Sequence, residues 1–348
     1  MREFGKSRKL DNVLYDVRGP VVDEAARMEE NGTNVLKLNI GNPAPFGFRT
    51  PDEVIYDMSR QLTDCEGYSN SKGLFSARKA IMQYAQLKKL PNVTVEDIYT
   101  GNGVSELINL SMSALLDNGD EVLVPAPDYP LWTACVTLAG GTAVHYICDE
   151  QSEWYPDIED IKKKITDKTK AIVIINPNNP TGYLADSTFM KQIIGHCKEK
   201  HIYVVADECF MGFCEKNYSV LSLLCDYDNL IVVRAFTKLF AIPGVRLGYM
   251  LSKNEAVRQK VQRNLPEWNV SVLAQMAGEA CIMESEYIKE TASYVSRQRR
   301  LLSDGLKKLG FKVYKSDADF ILFYSKLPLY DILINKGILI RDGSNYVG

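Results

Sequence analysis

From about residue 95 the chain alternates short apolar runs with stretches whose apolar residues recur at helical spacing. GVSELINLSMSALL (103–116) sets its apolar side chains on one helical face, and EVLVPAP (121–127) is a β-rich run halted by prolines. PLWTACVTLAGG reads as a helix ending at glycine, and TAVHYIC as the next strand. KAIVIINP (170–177) is apolar at nearly every position, and Asp186 is placed to cap the helix STFMKQIIGHCKEK. IYVVADE (202–208) and LIVVRAF (230–236) follow, each apolar along its length. Strands that lack polar alternation and are separated by helices mean a parallel sheet covered on both faces. The pattern therefore predicts an α/β domain of three layers, αβα, with a mainly parallel sheet, over residues 46–284.

The two ends read differently. Residues 1–45 hold one charged helix (about 20–31) and a short strand ending at GNPAP. Residues 285–348 open with a long amphipathic helix, SEYIKETASYVSRQRRLLSDGLKKLG, and continue into short strands FKVYK and DFILFY. Both ends are expected to build one smaller α+β domain, incomplete at its C-terminus. There are no internal repeats.

Composition adds mainly exclusions. Of 348 residues 46% are hydrophobic and 24% charged, the net charge is −3, and basic residues are dispersed, so no nucleic-acid partner is expected. RQRR (297–300) reads as a solvated helix face. No apolar run has membrane-spanning length, and the N-terminus lacks the apolar core of a signal peptide. Eight irregularly spaced cysteines and three histidines suggest neither a disulfide framework nor a metal site. Reduced thiols in a cytoplasmic protein are the expectation, with no membrane partner.

Ligands of open α/β sheets bind at the carboxyl ends of strands. Here those ends carry NPNNPTG with Asn179, then Asp207, then Thr237-Lys238, and soon Arg246 in PGVRLGY. Taken singly, the aspartate reads as a helix cap, the lysine as a solvated charge and NPNNPTG as a turn-rich loop. Together they suit pyridoxal 5′-phosphate. A lysine amine captures its aldehyde and later moves the α-proton. An aspartate keeps the pyridine nitrogen protonated, and an amide tunes the ring oxygen. Phosphate calls for a helix N-terminus and an arginine, which Gly103-Val104-Ser105 and Arg246 supply. Tyr129 in PAPDYPLW is placed to stack on the ring.

The motif set GNGVSE, PAPDYP, NPNNPTG, ADE and TKxxxxPGxRLG resembles the fold-type-I class I/II aminotransferases over essentially the whole chain. The resemblance implies that Lys238 carries the cofactor, Asp207 pairs with its pyridinium, and Asn179 donates to its ring oxygen. Arg246 with the amides of Gly103 to Ser105 would hold the phosphate, beside Thr237. Tyr68 in GYSNSKG is similar to the tyrosine that reaches a neighbouring subunit's phosphate, which implies a homodimer with shared active sites. Gly41 is similar to the glycine lying against the substrate carboxylate, and Tyr15 and Arg18 would stand at the substrate mouth.

Residues 1 to about 182 are similar to bacterial glutamate–pyruvate (alanine) aminotransferases. From about 200 onward, VADECFMGF, TKLFAIPGVRLGY and KGILIRDGSNY are similar to histidinol-phosphate aminotransferases and threonine-phosphate decarboxylases. Phe210 and Ala235 stand where many members have tyrosine and serine or threonine, and no residue matches the arginine that clamps the substrate carboxylate. Arg341 is read as a strand-end charge and Trp268 as a packing anchor. The expected activity is transamination between a small L-amino acid (alanine or glutamate) and a 2-oxo acid. The alternatives are a pyridoxal-phosphate enzyme for a phosphorylated amino acid, or a weakly active cofactor-binding homologue.

Overall fold

A computed structural model describes residues 5, 7–10, 13, 19–87, 92–344 and 346. It begins with α1 (Gly19–Glu30), the short β1 (Leu36–Lys37), α2 (Asp52–Arg60) and α3 (Phe75–Leu87). The alternating region follows as β2 (Ile98–Gly101), α4 (Val104–Leu115), β3 (Glu121–Ala126), α5 (Leu131–Leu138), β4 (Thr142–Asp149) and β5 (Tyr155–Pro156). It continues through α6 (Ile158–Lys164), β6 (Thr169–Ile175), α7 (Ser187–Glu199), β7 (Tyr203–Asp207), β8 (Leu230–Ala235) and β9 (Gly248–Ser252). Helices α8 (Glu255–Asn264), α9 (Val272–Met283) and α10 (Ser285–Lys308) come next. The last elements are β10 (Lys312–Val313), β11 (Phe323–Tyr324), α11 (Leu329–Ile334) and β12 (Ile338–Leu339).

Eight strands form one sheet in the order β2-β9-β8-β7-β6-β3-β4-β5. The run from β8 to β4 is parallel, while β9 pairs antiparallel with β2 and β8, and β5 antiparallel with β4. Successive side chains of a strand point to opposite faces, and here both faces are core. Ile172, Ile174, Val204, Ala206 and Val232 pack with α7 and α9 residues on one side. Ala171, Val173, Val205, Ile231 and Val233 pack with Leu107 and Ile108 of α4, Trp132 of α5 and Val261 of α8 on the other. The continuous apolar runs thus have a direct cause, and the fold is α/β with three layers. Asp186 caps α7, its Oδ1 accepting from the amides of Thr188 at 2.8 Å and Phe189 at 2.9 Å.

Segments from both ends of the sequence meet. β1 runs parallel to β12, and Ala25, Val35, Ile334 and Leu339 form a small separate core beneath the pair. The strands expected in FKVYK and DFILFY are shorter than the sequence suggests. β10 and β11 pair over two residues each, and Ser316 Oγ bonds Phe320 and Ala318 within the loop that joins them. Among the described residues no helix is long and apolar enough to cross a membrane, and no cluster of acidic, histidine or cysteine side chains could hold a metal.

Candidate active site

A cleft of about 2880 Å³ opens at the carboxyl rim of the sheet, between that rim and the C-terminal elements. Each strand end contributes one chemically distinct group, because a parallel sheet turns all its loops of one kind to the same side.

Asp207, the last residue of β7, is buried and lines the cleft. Its Oδ2 accepts from Trp132 Nε1 at 3.2 Å and its Oδ1 from the Cys209 amide at 3.1 Å. Burial pushes its pKa up, while the bonds from Cys209 and Trp132 pull it back. The next carboxylate serves the scaffold. Glu208 pairs with Arg234 at 2.7 Å and accepts from Ser219 Oγ and the Val220 amide, each at 2.7 Å.

Lys238 follows β8 and buried Thr237, on a turn in which Ile242 N donates to the Thr237 carbonyl at 3.1 Å. Its Nζ donates to the Gly41 carbonyl at 2.6 Å. Burial depresses the pKa of this amine, and the carboxylate of Asp319 opposes the shift.

Gly103 is the N-cap of α4 at φ 75°, and among the described residues no side chain caps the helix. A Cβ there would stand 2.6 Å from Arg246 Nη2, so only glycine allows the guanidinium to lie against the helix start. Arg246 itself adopts φ 63° and donates from Nη1 to the Pro243 carbonyl at 2.9 Å. Val104 and Ser105 line the same end of the cleft, leaving uncapped backbone N–H groups beside a cation.

The asparagines of NPNNPTG divide their tasks. Asn176 exchanges hydrogen bonds with the backbone of Ala185, and Asn178 binds Thr181 and the Pro127 carbonyl. Asn179 lines the cleft, as do Tyr129, Gly41 and Thr237.

Other expected residues lie elsewhere. Tyr68 is 82% exposed and outside the cleft, its ring stacked on Trp268 at 4.5 Å. Trp268 is 55% exposed, so it is no packing anchor of this chain. Arg341, read as a strand-end charge, lines the cleft and donates to the Tyr346 hydroxyl at 3.0 Å. Tyr15 and Arg18 fall outside the described residues. Sequence reasoning missed Trp132, which appears in the chain as one more apolar helix residue. It also missed Asp319, an exposed carboxylate that lines the cleft.

An amine, a buried carboxylate, an amide and a guanidinium at an uncapped helix start, on the rim of this sheet, mark an enzyme scaffold of the pyridoxal-phosphate transferase type. The sequence matches aminotransferase class I and II over residues 33–347, and the chain belongs to that family. Class I and II aminotransferases use pyridoxal 5′-phosphate, and the donor set fits it. The chain is 52% identical over 254 residues to glutamate–pyruvate aminotransferase AlaA of Haemophilus influenzae, covering 72% of this chain and 63% of the relative. It is 46% identical over 252 residues to alanine aminotransferase of Mycobacterium tuberculosis, covering 72% and 59%. The match thus spans less than two thirds of these curated relatives. Among solved structures, an Escherichia coli aminotransferase superposes with TM-score 0.87 at 38% identity, over 97% of this chain and 89% of the other. Alanine aminotransferase from Pyrococcus furiosus gives 0.87 at 33%, over 96% and 90%.

Proposed function

We propose that this chain is a pyridoxal-phosphate-dependent aminotransferase that moves amino groups between alanine or glutamate and a 2-oxo acid. One observation carries the reading: Lys238, Asp207, Asn179 and Arg246 share one cleft with the start of α4. The names of the relatives support the substrate class.

When bound, the cofactor supplies an electron-poor ring that absorbs negative charge from the substrate α-carbon. Lys238 anchors it, then takes and returns the α-proton at Nζ; its burial eases loss of that proton. Asp207 holds a proton on the ring nitrogen, and Asn179 donates to the ring oxygen. Arg246 and the amides of Gly103, Val104 and Ser105 hold the phosphate, with Thr237 alongside. Tyr129 stacks on the ring. Gly41 borders the substrate carboxylate, with Tyr15 and Arg18 at the mouth.

Residues 46–284 are assigned to the cofactor domain, and 1–45 with 285–348 to a second unit. The exposed Tyr68–Trp268 stack supports a homodimer in which Tyr68 serves the partner's site. The free cysteines support a cytoplasmic location.

The test is visible absorbance with pyridoxal phosphate, before and after L-alanine and again after pyruvate, with Lys238→Ala as control. A yellow band that bleaches with alanine and returns with pyruvate is expected. Indifference to every common amino acid overturns the reading. Arg341 in the cleft favours a second reading, a substrate bearing phosphate, and phosphothreonine would then perturb the band where alanine does not.

A further inference from the structure

Asn102 and Gly103 carry the chain from the end of β2 into α4, and Asn102 is held on several sides. Its amide donates to Glu106 Oε2 at 2.8 Å, and its carbonyl accepts from Arg246 Nη2 at 3.5 Å. Its side-chain Nδ2 donates to Glu106 Oε1 and Oε2, each at 3.2 Å, and to Asn269 Oδ1 at 3.1 Å. Asn269, in the loop between α8 and α9, closes the triangle. Its Nδ2 donates to Glu106 Oε2 at 2.9 Å.

Glu106 lies in the first turn of α4, three residues after the N-cap Gly103. A glutamate there ordinarily reaches back to the N-cap amide, and its charge favours the unpaired N–H groups of the helix start. Here the carboxylate is drawn past the N-cap. Among the described residues, every hydrogen bond it accepts comes from Asn102 or Asn269. The amides it leaves alone are those assigned to the cofactor phosphate. A carboxylate and a phosphate compete for such a helix start, because both offer anionic oxygen to the same donors.

We propose that Asn102 and Asn269 keep the Glu106 carboxylate off the start of α4, reserving its amides for phosphate. Asn269 is thereby a positioning residue that acts through Glu106 and touches no part of the cofactor. Its role rests on the functional reading, which sets the cofactor phosphate at this helix.

Equilibrium titration with pyridoxal phosphate and with pyridoxal, followed by visible absorbance, tests the role. The two molecules differ only in the phosphate, so a general disturbance weakens both and a change at the helix start weakens one. Asn269→Ala should bind pyridoxal phosphate about tenfold more weakly, the effect of one hydrogen bond to a charged group, and pyridoxal as the parent does. Asn269→Leu keeps the volume without the donor and should match it. Adding Glu106→Gln to Asn269→Ala removes the competing charge and should recover most of the lost affinity. Single variants with the parent's affinity, an equal loss for pyridoxal, or a double variant as weak as Asn269→Ala each overturn the inference. Parent protein that gains nothing from the phosphate defeats the functional reading itself, and the role of Asn269 with it.

Discussion

The indole Nε1 of Trp132 donates to Oδ2 of Asp207 at 3.2 Å, tying α5 to the end of β7 within the core. With the thiol and the amide of Cys209 it favours the ionised carboxylate against the cost of its burial. Trp132→Phe removes the bond and keeps most of the volume. A hydrogen bond to a charged group contributes about 1.5 kcal/mol, so kcat/KM should fall roughly tenfold. Because Trp132 lowers the pKa of Asp207, its loss should move the acidic limb of the activity profile to higher pH. A pH–rate profile of the variant measures both effects.

Lys238 predicts a stability signature. Its folded-state pKa lies below the ordinary 10.5, so the folded chain binds fewer protons than the unfolded one between the two values. The partly buried amine therefore destabilises the fold below its folded pKa, and the penalty fades as pH rises toward 10.5. Lys238→Ala should be more stable than the parent at neutral pH, with the gap closing in alkali. Thermal unfolding of both cofactor-free proteins across pH decides; a constant gap counts against the argument.

Gly103→Ala would force an alanine to φ 75° and press its Cβ to 2.6 Å from Arg246 Nη2. The left-handed backbone alone costs about 1–2 kcal/mol. Urea unfolding should register that loss, and pyridoxal-phosphate titration should show weakened affinity as the guanidinium is displaced.

Adjacent carboxylates on β7 and just beyond it should fail in opposite ways. Glu208→Gln leaves the largely buried guanidinium of Arg234 without its charge partner and should cost about 3 kcal/mol of stability. Asp207→Asn removes no ion pair among the described residues and should melt near the parent while losing at least roughly a hundredfold in turnover. Melting temperatures set beside turnover rates separate the two residues.

The large sheet was legible because burial on both faces leaves an unmistakable run of apolar residues at β6, β7 and β8. Four of the cleft groups could be read for a related reason: Asn179, Asp207, Lys238 and Arg246 follow strands whose ends are easy to locate. The short antiparallel β2 left no such mark. Asp319 was hidden among small residues of a loop, where Asp317 looks equivalent until the fold sets Asp319 on the cleft wall. Trp132 was hidden because a buried indole donor and a purely apolar core residue look alike in a hydrophobic pattern. Arg341 needed β12 to be laid beside β1 before its direction meant anything.

Gly182 sits at φ 76° with no room for a side chain, since a Cβ would stand 2.1 Å from Ser316 Oγ. The contact makes a mechanical coupling. Two loops more than a hundred residues apart in sequence are joined by the bond from the Asp317 amide to the Gly182 carbonyl. Any swing of the C-terminal elements must either break that bond or carry the Asn179 loop along, so hydrogen exchange at the Asp317 amide would time the opening of the cleft.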